Sequence, residues 1–117
     1  MKLMRTALLA LALLLALAGA RASAQDLTGA WAAAPYGGTY YVRQIGSEVW
    51  WFGDGGSSWA NVAHGRLEGN RIRMQWADVP RGGTQNFGEL EVVVESPYRL
   101  VLRRATGGFG ARVWTRQ

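Results

Sequence analysis

From residue 27 onward, apolar and polar residues alternate in short runs that Gly, Asn, Asp or Pro interrupts at close intervals. Alternation with a period of two is typical of strands with one buried face. The pattern predicts eight strands, near residues 27–32, 38–45, 48–53, 59–67, 71–78, 87–95, 99–105 and 111–116. We therefore expect an all-β fold, an antiparallel eight-stranded up-and-down meander that closes into a small barrel. An open sandwich is the alternative.

Two of the predicted turns can be tested by the pairs that they create across the strands. A three-residue turn at 96–98 brings apolar side chains together on one face and opposite charges on the other. The expected pairs are Val94 with Leu100, Val92 with Leu102, Glu95 with Arg99, and Glu91 with Arg103. A two-residue turn at Gly69-Asn70 sets small residues against large ones, although it also places Arg66 beside Arg73. Its apolar pairs are Leu67 with Ile72, Gly65 with Met74, and Ala63 with Trp76.

The segment YYVRQIGSEVWWF, residues 40–52, carries aromatic pairs at both ends. With a two-residue turn at Gly46-Ser47, one face of this hairpin holds Val42 and Trp51. The other face holds Tyr41, Arg43, Trp50 and Phe52. The sequence leaves open which face is inward. Because Trp, Tyr and Arg are enriched at binding hot spots, the second set is a candidate binding surface.

Two loops add further candidates. Residues 78–86 form the longest break in the pattern and include Arg81, Gln85 and Asn86, while residues 106–110 place Phe109 among glycines. Two interpretations stay open: the loops are ordinary turns, or both line a barrel mouth that binds a polar ligand. We expect the interior itself to be largely filled, so that the mouth is shallow. The side chains assigned to the core are Trp31, Trp76, Trp114, Leu90, Val92, Val94, Leu100 and Leu102.

Residues 1–24 have the features of an export signal. Lys2 and Arg5 form a basic start, an apolar run follows, and Ala22-Ser23-Ala24 has the small-x-small form of a cleavage site. The run is shorter than the ~20 residues that a membrane-spanning helix needs, which disfavours a retained anchor. We expect cleavage after Ala24, a single domain over residues 25–117, and a secreted or periplasmic protein without membrane contact.

The net charge of +5 belongs largely to this leader. Removing its three basic residues leaves ten Arg against eight acidic residues, a net charge of +2, and the arginines are scattered. A nucleic-acid partner is therefore not expected. The chain has no cysteine, so stability has to come from strand pairing and aromatic burial.

The sequence Gly29-Ala30-Trp31 resembles the Gly-x-Trp motif of the calycin superfamily, which includes lipocalins, fatty-acid-binding proteins and avidins; the stretch 27–31 is most similar to the avidin opening. The resemblance implies a barrel with the Trp at one end and an Arg of the last strand, Arg112 or Arg116, lying across it. The segments GGTYYVRQIGSEVWWFG, NVAHG, WADVPRGG and TGGFG are similar to small secreted bacterial proteins of uncharacterised function. That similarity implies one exported domain and no particular activity.

Catalytic and metal chemistry have little support. His64 is the only histidine, and a catalytic triad would have to combine it with Ser57 or Ser58 and an aspartate, Asp54 or Asp78. Nothing around those serines is typical of an activated nucleophile. Without cysteine or a second histidine, no metal site is expected. The acidic pair Glu89 and Glu91 is expected on the solvated outer face.

We therefore expect an exported, non-enzymatic binding protein that needs no cofactor. Its ligand would be a small molecule or a glycan, bound at the barrel mouth or on an exposed aromatic face. A protein–protein module, either an exported inhibitor or a homo-oligomer, is the first alternative. A small hydrolase is the second.

Overall fold

The computed structural model describes residues 26–117, so the predicted export signal and its cleavage site lie outside the described residues. Eight strands follow one another along the chain. They are β1 (Gly29–Ala34), β2 (Thr39–Ile45), β3 (Glu48–Asp54), β4 (Ala60–Glu68), β5 (Arg71–Asp78), β6 (Phe87–Ser96), β7 (Arg99–Ala105) and β8 (Val113–Arg116). Each pairs antiparallel with the next, and β8 pairs with β1 to close the barrel. The predicted up-and-down barrel is confirmed, and the open sandwich is wrong.

Both predicted two-residue hairpins have the expected register. In the β2–β3 hairpin Val42 faces Trp51 and Tyr41 faces Phe52, and in the β4–β5 hairpin Gly65 faces Met74. The unfavourable pairing of Arg66 with Arg73 is also present. It is tolerated because the two guanidinium groups pair with different acids: Arg66 lies 3.3 Å from a Glu48 oxygen, and Arg73 lies 3.4 Å from Glu91.

The turn between β6 and β7 differs from the prediction. Ser96 pairs with Arg99, so the turn has two residues, Pro97 and Tyr98, and not three. Two β-bulges, one on each strand, insert Glu95 and Arg103 as extra residues, and as a result Glu91 pairs with Arg104. The inward pairs Val94–Leu100 and Val92–Leu102 are as predicted.

The core fills the barrel in two regions. At the end where the chain enters, Trp31 is fully buried, its indole N–H donates to the Leu27 carbonyl at 3.0 Å, and the Arg116 guanidinium lies 4.7 Å from the ring centroid. Of the two arginines that the sequence offered, Arg116 and not Arg112 lies across Trp31. In the opposite half, the rings of Trp51, Phe109 and Trp114 stack or tilt against one another with centroids 5.2–6.1 Å apart.

All eight predicted core residues face the interior, but they are not all fully buried. Val94 and Leu102 are only partly buried, because the bulges lie beside them. Six others are buried: Trp31, Trp76, Trp114, Leu90, Val92 and Leu100.

The two ends of the barrel are built differently. Three tight turns, at 46–47, 69–70 and 97–98, lie at the end that Trp31 and Arg116 close, hereafter the closed end. Four longer connections, residues 35–38, 55–59, 79–86 and 106–112, lie at the other, open end. Among residues 26–117, no helix is long and apolar enough to cross a membrane.

Candidate binding mouth

A cavity of about 410 Å³ opens between the four longer connections, and each of them contributes to its lining. Five aromatic side chains surround it. They are Tyr36, Tyr40, Trp59, Trp76 and Phe109. Five polar side chains complete the lining: Ser58, Asn61, Asp78, Thr84 and Asn86. Apolar surface with a few converging polar groups is typical of small-molecule sites, and the volume lies in their usual range. We call this cavity the mouth.

The floor of the mouth is fixed by a buried chain of hydrogen bonds. The Trp51 indole N–H donates to Asn61 Oδ1 at 3.2 Å, and Asn61 Nδ2 donates to the Tyr40 hydroxyl, also at 3.2 Å. Asn61 and Tyr40 are only 4% and 1% exposed, so these side chains cannot reorient without leaving a buried polar group unpaired. The floor is therefore preorganised.

Burial raises the pKa of Tyr40 to about 12. The hydrogen bond from Asn61 opposes this rise, and the negative charge of Asp78 adds to it. The Tyr40 hydroxyl consequently keeps its proton at physiological pH and stays a neutral group beneath the mouth.

At the rim, Asp78 and Asn86 form one unit. The Asp78 N–H donates to the Asn86 carbonyl at 2.8 Å, and the Asn86 N–H donates to Asp78 Oδ2 at 2.9 Å. The two bonds join the end of β5 to the start of β6 and close the loop 79–86. The Asp78 carboxylate is therefore held in place at the rim of the mouth.

Trp59 lies on the neighbouring 55–59 connection and rests on glycine. A Cβ on Gly55 would meet the Trp59 indole at 2.0 Å, and one on Gly38 would meet it at 2.7 Å. The Gly55 N–H also donates to the Trp59 carbonyl at 3.0 Å. The glycines of the 55–59 connection thus let the chain fold tightly under a large ring.

The loop residues predicted for the mouth divide into two groups. Asn86 and Phe109 line it, but Phe109 is buried and packs 5.0 Å from Trp76, so it is part of the floor and is not a displayed ring. Arg81 and Gln85 are exposed and do not line it. The Arg81 guanidinium instead forms an ion pair with Asp54 at 2.6 Å.

The orientation of the β2–β3 hairpin, which the sequence left open, is resolved. Val42 and Trp51 face the interior, while Tyr41, Arg43, Trp50 and Phe52 face outward. Trp51 is 3% exposed and Trp50 is 38% exposed. The outward set is therefore accessible and separate from the mouth.

The outward rings continue into a longer feature. Strand register aligns five apolar side chains across β2 to β6, which we call the outer aromatic row: Tyr41, Phe52, Val62, Ala77 and Phe87. All except Ala77 are exposed. In the next row Trp50 stacks on the His64 ring at 4.8 Å. Arg43 lies beside Trp50 in the same register.

The residues considered for catalysis do not come together. His64 Nε2 lies 2.8 Å from Glu48 Oε2 on the exposed outer face, and Asp54 is held by Arg81. No group of three potential metal-ligating side chains occurs in residues 26–117.

The expectation of a solvated Glu91 is wrong. Its side chain is only 8% exposed because three guanidinium groups, from Arg71, Arg73 and Arg103, cover it at 3.4–3.6 Å.

Sequence reasoning did not single out Tyr40, Trp59 and Asn61 as lining residues. For Asn61 a signal was present: the predicted register of β4 places it on the same face as Ala63, and a polar side chain at an inward position indicates a polar site. Trp59 has the parity of Asn61 and Ala63 in the strand predicted at 59–67, so the same signal applied to it, although in the structure it precedes β4. Tyr36 lies in a connection, where alternation carries no information. Comparison with protein-family models, with curated proteins and with solved structures finds no match to this chain.

Proposed function

We propose that this protein is an exported, non-enzymatic binding protein that takes a small molecule or the end of a glycan in its mouth. The observation that carries the proposal is the mouth itself, a 410 Å³ cavity lined by all four connections. It has aromatic walls, and its polar side chains come from β4, β5 and the connections 55–59 and 79–86. A binding site with a fixed floor loses little conformational entropy when the ligand enters. The buried chain Trp51–Asn61–Tyr40 supplies such a floor.

The contrast between the two ends supports the same proposal. The closed end is filled by Trp31 under Arg116, whereas the open end holds the cavity between the four connections. The placement of Arg116 also supports a calycin-like relationship, in which one end of the barrel is closed and the other binds. The export signal predicted for residues 1–24 supports a location in the periplasm or outside the cell.

A ligand titration with a matched pair of variants tests the proposal. Binding is followed by isothermal titration calorimetry and by the rise in unfolding temperature, against a panel of small molecules and cell-envelope glycans. Ser58 is an exposed lining residue, so Ser58→Trp should fill the mouth and abolish binding without loss of stability. Ser57 is exposed, next in sequence and not part of the lining, so Ser57→Trp should bind as the wild type does.

The panel result decides the matter. A compound whose binding is lost in Ser58→Trp and kept in Ser57→Trp supports the mouth as the site. If no member of a broad panel binds, or if both variants bind equally well, the proposal is wrong.

The outer aromatic row favours a second function, association with a protein. Aromatic side chains that face solvent on a rigid sheet contribute little to the folded monomer, and they are the residue types that anchor protein interfaces. Phe87 is 76% exposed and Tyr41 is 53% exposed. The partner in this reading is a second copy of the chain or another exported protein.

A further inference from the structure

Among residues 26–117, one acidic side chain and no basic one line the mouth. Asp78 is the only carboxylate that this part of the chain places there, and neither its arginines nor His64 line the cavity. The basic residue nearest to Asp78 in sequence is Arg81, in the loop that follows β5. Its guanidinium forms an ion pair with Asp54 at 2.6 Å. Among residues 26–117, no arginine forms an ion pair with Asp78. A carboxylate is ionised at neutral pH, so the mouth carries an uncompensated negative charge.

The aromatic rings of the mouth meet at steep and intermediate angles. Tyr40 and Trp59 are 5.8 Å apart with an interplanar angle of 40°, and Trp76 and Phe109 are 5.0 Å apart at 65°. Tyr40, Trp76 and Phe109 are nearly buried and form the floor of the mouth, whereas Tyr36 is 76% exposed and Trp59 is partly buried. The face of an aromatic ring carries negative charge density, and quaternary ammonium groups are bound by such sets of rings.

We propose that the mouth selects an organic cation, a substituted amine or quaternary ammonium group, which lies between its aromatic rings and the Asp78 carboxylate. This inference rests on the proposed function and specifies its ligand class. The rings attract the cation by their quadrupoles, and the carboxylate attracts it by its charge, so both terms favour the same ligand. An anion would be repelled by the carboxylate and would find no basic partner in the lining.

Two further features of the mouth favour a cationic ligand. Asp78 helps to raise the pKa of Tyr40, after the larger effect of burial, so its negative charge acts on the floor of the mouth. The other polar side chains of the lining, Ser58, Asn61, Thr84 and Asn86, are neutral hydrogen-bonding groups. These groups suit the hydroxyl or carbonyl substituents that small biological amines carry.

The test compares choline with 3,3-dimethylbutan-1-ol, in which carbon replaces the charged nitrogen and the shape is kept. Isothermal titration calorimetry on the full exported chain should show choline binding about tenfold or more tightly than the alcohol. Asp78→Asn keeps an oxygen that can accept from the Asn86 N–H, so the loop stays closed. This variant should lose about tenfold in choline affinity and leave the alcohol unaffected.

Glu89→Gln is the matched control, because it removes one exposed acid of the outer face, outside the mouth. It should bind choline as the wild type does. If the alcohol binds as tightly as choline, or if Asp78→Asn keeps full choline affinity, the inference is overturned while the mouth remains a binding site. If choline, the alcohol and every compound of the broad panel fail to bind, the proposed function itself fails.

Discussion

Asn61 is a polar residue in an aromatic interior, and the structure shows why it is tolerated there. Its amide oxygen accepts from Trp51 and its amide nitrogen donates to Tyr40, so both groups are paired. A buried amide without these partners would lower the free energy of unfolding by about 1–3 kcal/mol for each lost bond. The three side chains therefore depend on one another, and Tyr40 must stay protonated for its place in the core.

This dependence predicts a loss of stability at high pH. The unfolded chain releases the Tyr40 proton near pH 10.0, whereas the folded chain keeps it to about pH 12. Because the folded pKa is raised, the stabilisation is fully present below pH 10.0 and is lost as pH rises towards 12. The free energy of unfolding should fall by about 1.4 kcal/mol per pH unit across that window. Urea unfolding followed by Trp fluorescence measures it.

Tyr40→Phe should remove this pH dependence, because phenylalanine has no proton to lose. Below pH 10.0 the variant should be less stable by about 1–3 kcal/mol, since the Asn61 amide loses its acceptor. Tyr98→Phe, which changes an exposed ring at the closed end, should keep the slope of the wild type. A Tyr40→Phe protein that loses stability as steeply as the wild type would contradict the assignment.

At the scale of the element, the β4–β5 hairpin relies on one small residue. Gly65 faces inward opposite Met74, and a Cβ built on it would lie 1.8 Å from the Arg73 carbonyl oxygen. Backbone cannot move aside as a side chain does, so Gly65→Ala must push β4 and β5 apart. We expect a loss of about 1–3 kcal/mol in the free energy of unfolding, measured as a lower urea midpoint.

Gly83→Ala is the control for this change. Gly83 lies in the 79–86 connection, and a Cβ built there meets no atom within 4 Å. Its stability should equal that of the wild type within about 0.5 kcal/mol. Equal stability of the Gly65→Ala and wild-type proteins would show that β4 and β5 are not packed as closely as described.

The elements also show what sequence can and cannot predict. Alternation and two-residue turns predicted the registers of the β2–β3 and β4–β5 hairpins, because a slip of one residue would reverse every side chain. The bulges at Glu95 and Arg103 were not predictable in this way, since strand pairing alone decides where an extra residue is absorbed. The direction of the β2–β3 hairpin could not be read because both of its faces carry rings.

Only part of the lining of the mouth could be predicted from the sequence. Asn86 and Phe109 were found because their loops stand out in the sequence. Tyr36 and Trp59 come from two other connections, and only closure of the barrel brings all four together. A site assembled from loops far apart in sequence has no local pattern, so it emerges from the topology.

At the scale of the whole molecule, closure of the barrel also shapes the outer aromatic row. The row crosses from β2 to β6, four of the eight strand-to-strand steps, so it curves around half of the barrel. A flat or convex partner can contact only its middle, at Phe52, Val62 and Ala77. Two barrels that meet there would bury an area at the low end of the range for specific interfaces.

If the row is an interface between copies, association should therefore be weak and should increase with protein concentration. Sedimentation velocity over a concentration series measures it, and Phe52→Ser should shift the chain to monomer at every concentration. The variant should still fold and lose only about 0.2–1 kcal/mol of stability, because the ring is 39% exposed and its main contacts are cross-strand pairs with Tyr41 and Val62. Tyr98→Ser removes an exposed ring at the closed end, outside the row, and should associate as the wild type does. A wild-type chain that stays monomeric throughout the series would exclude self-association and leave a different protein as the only partner for the row.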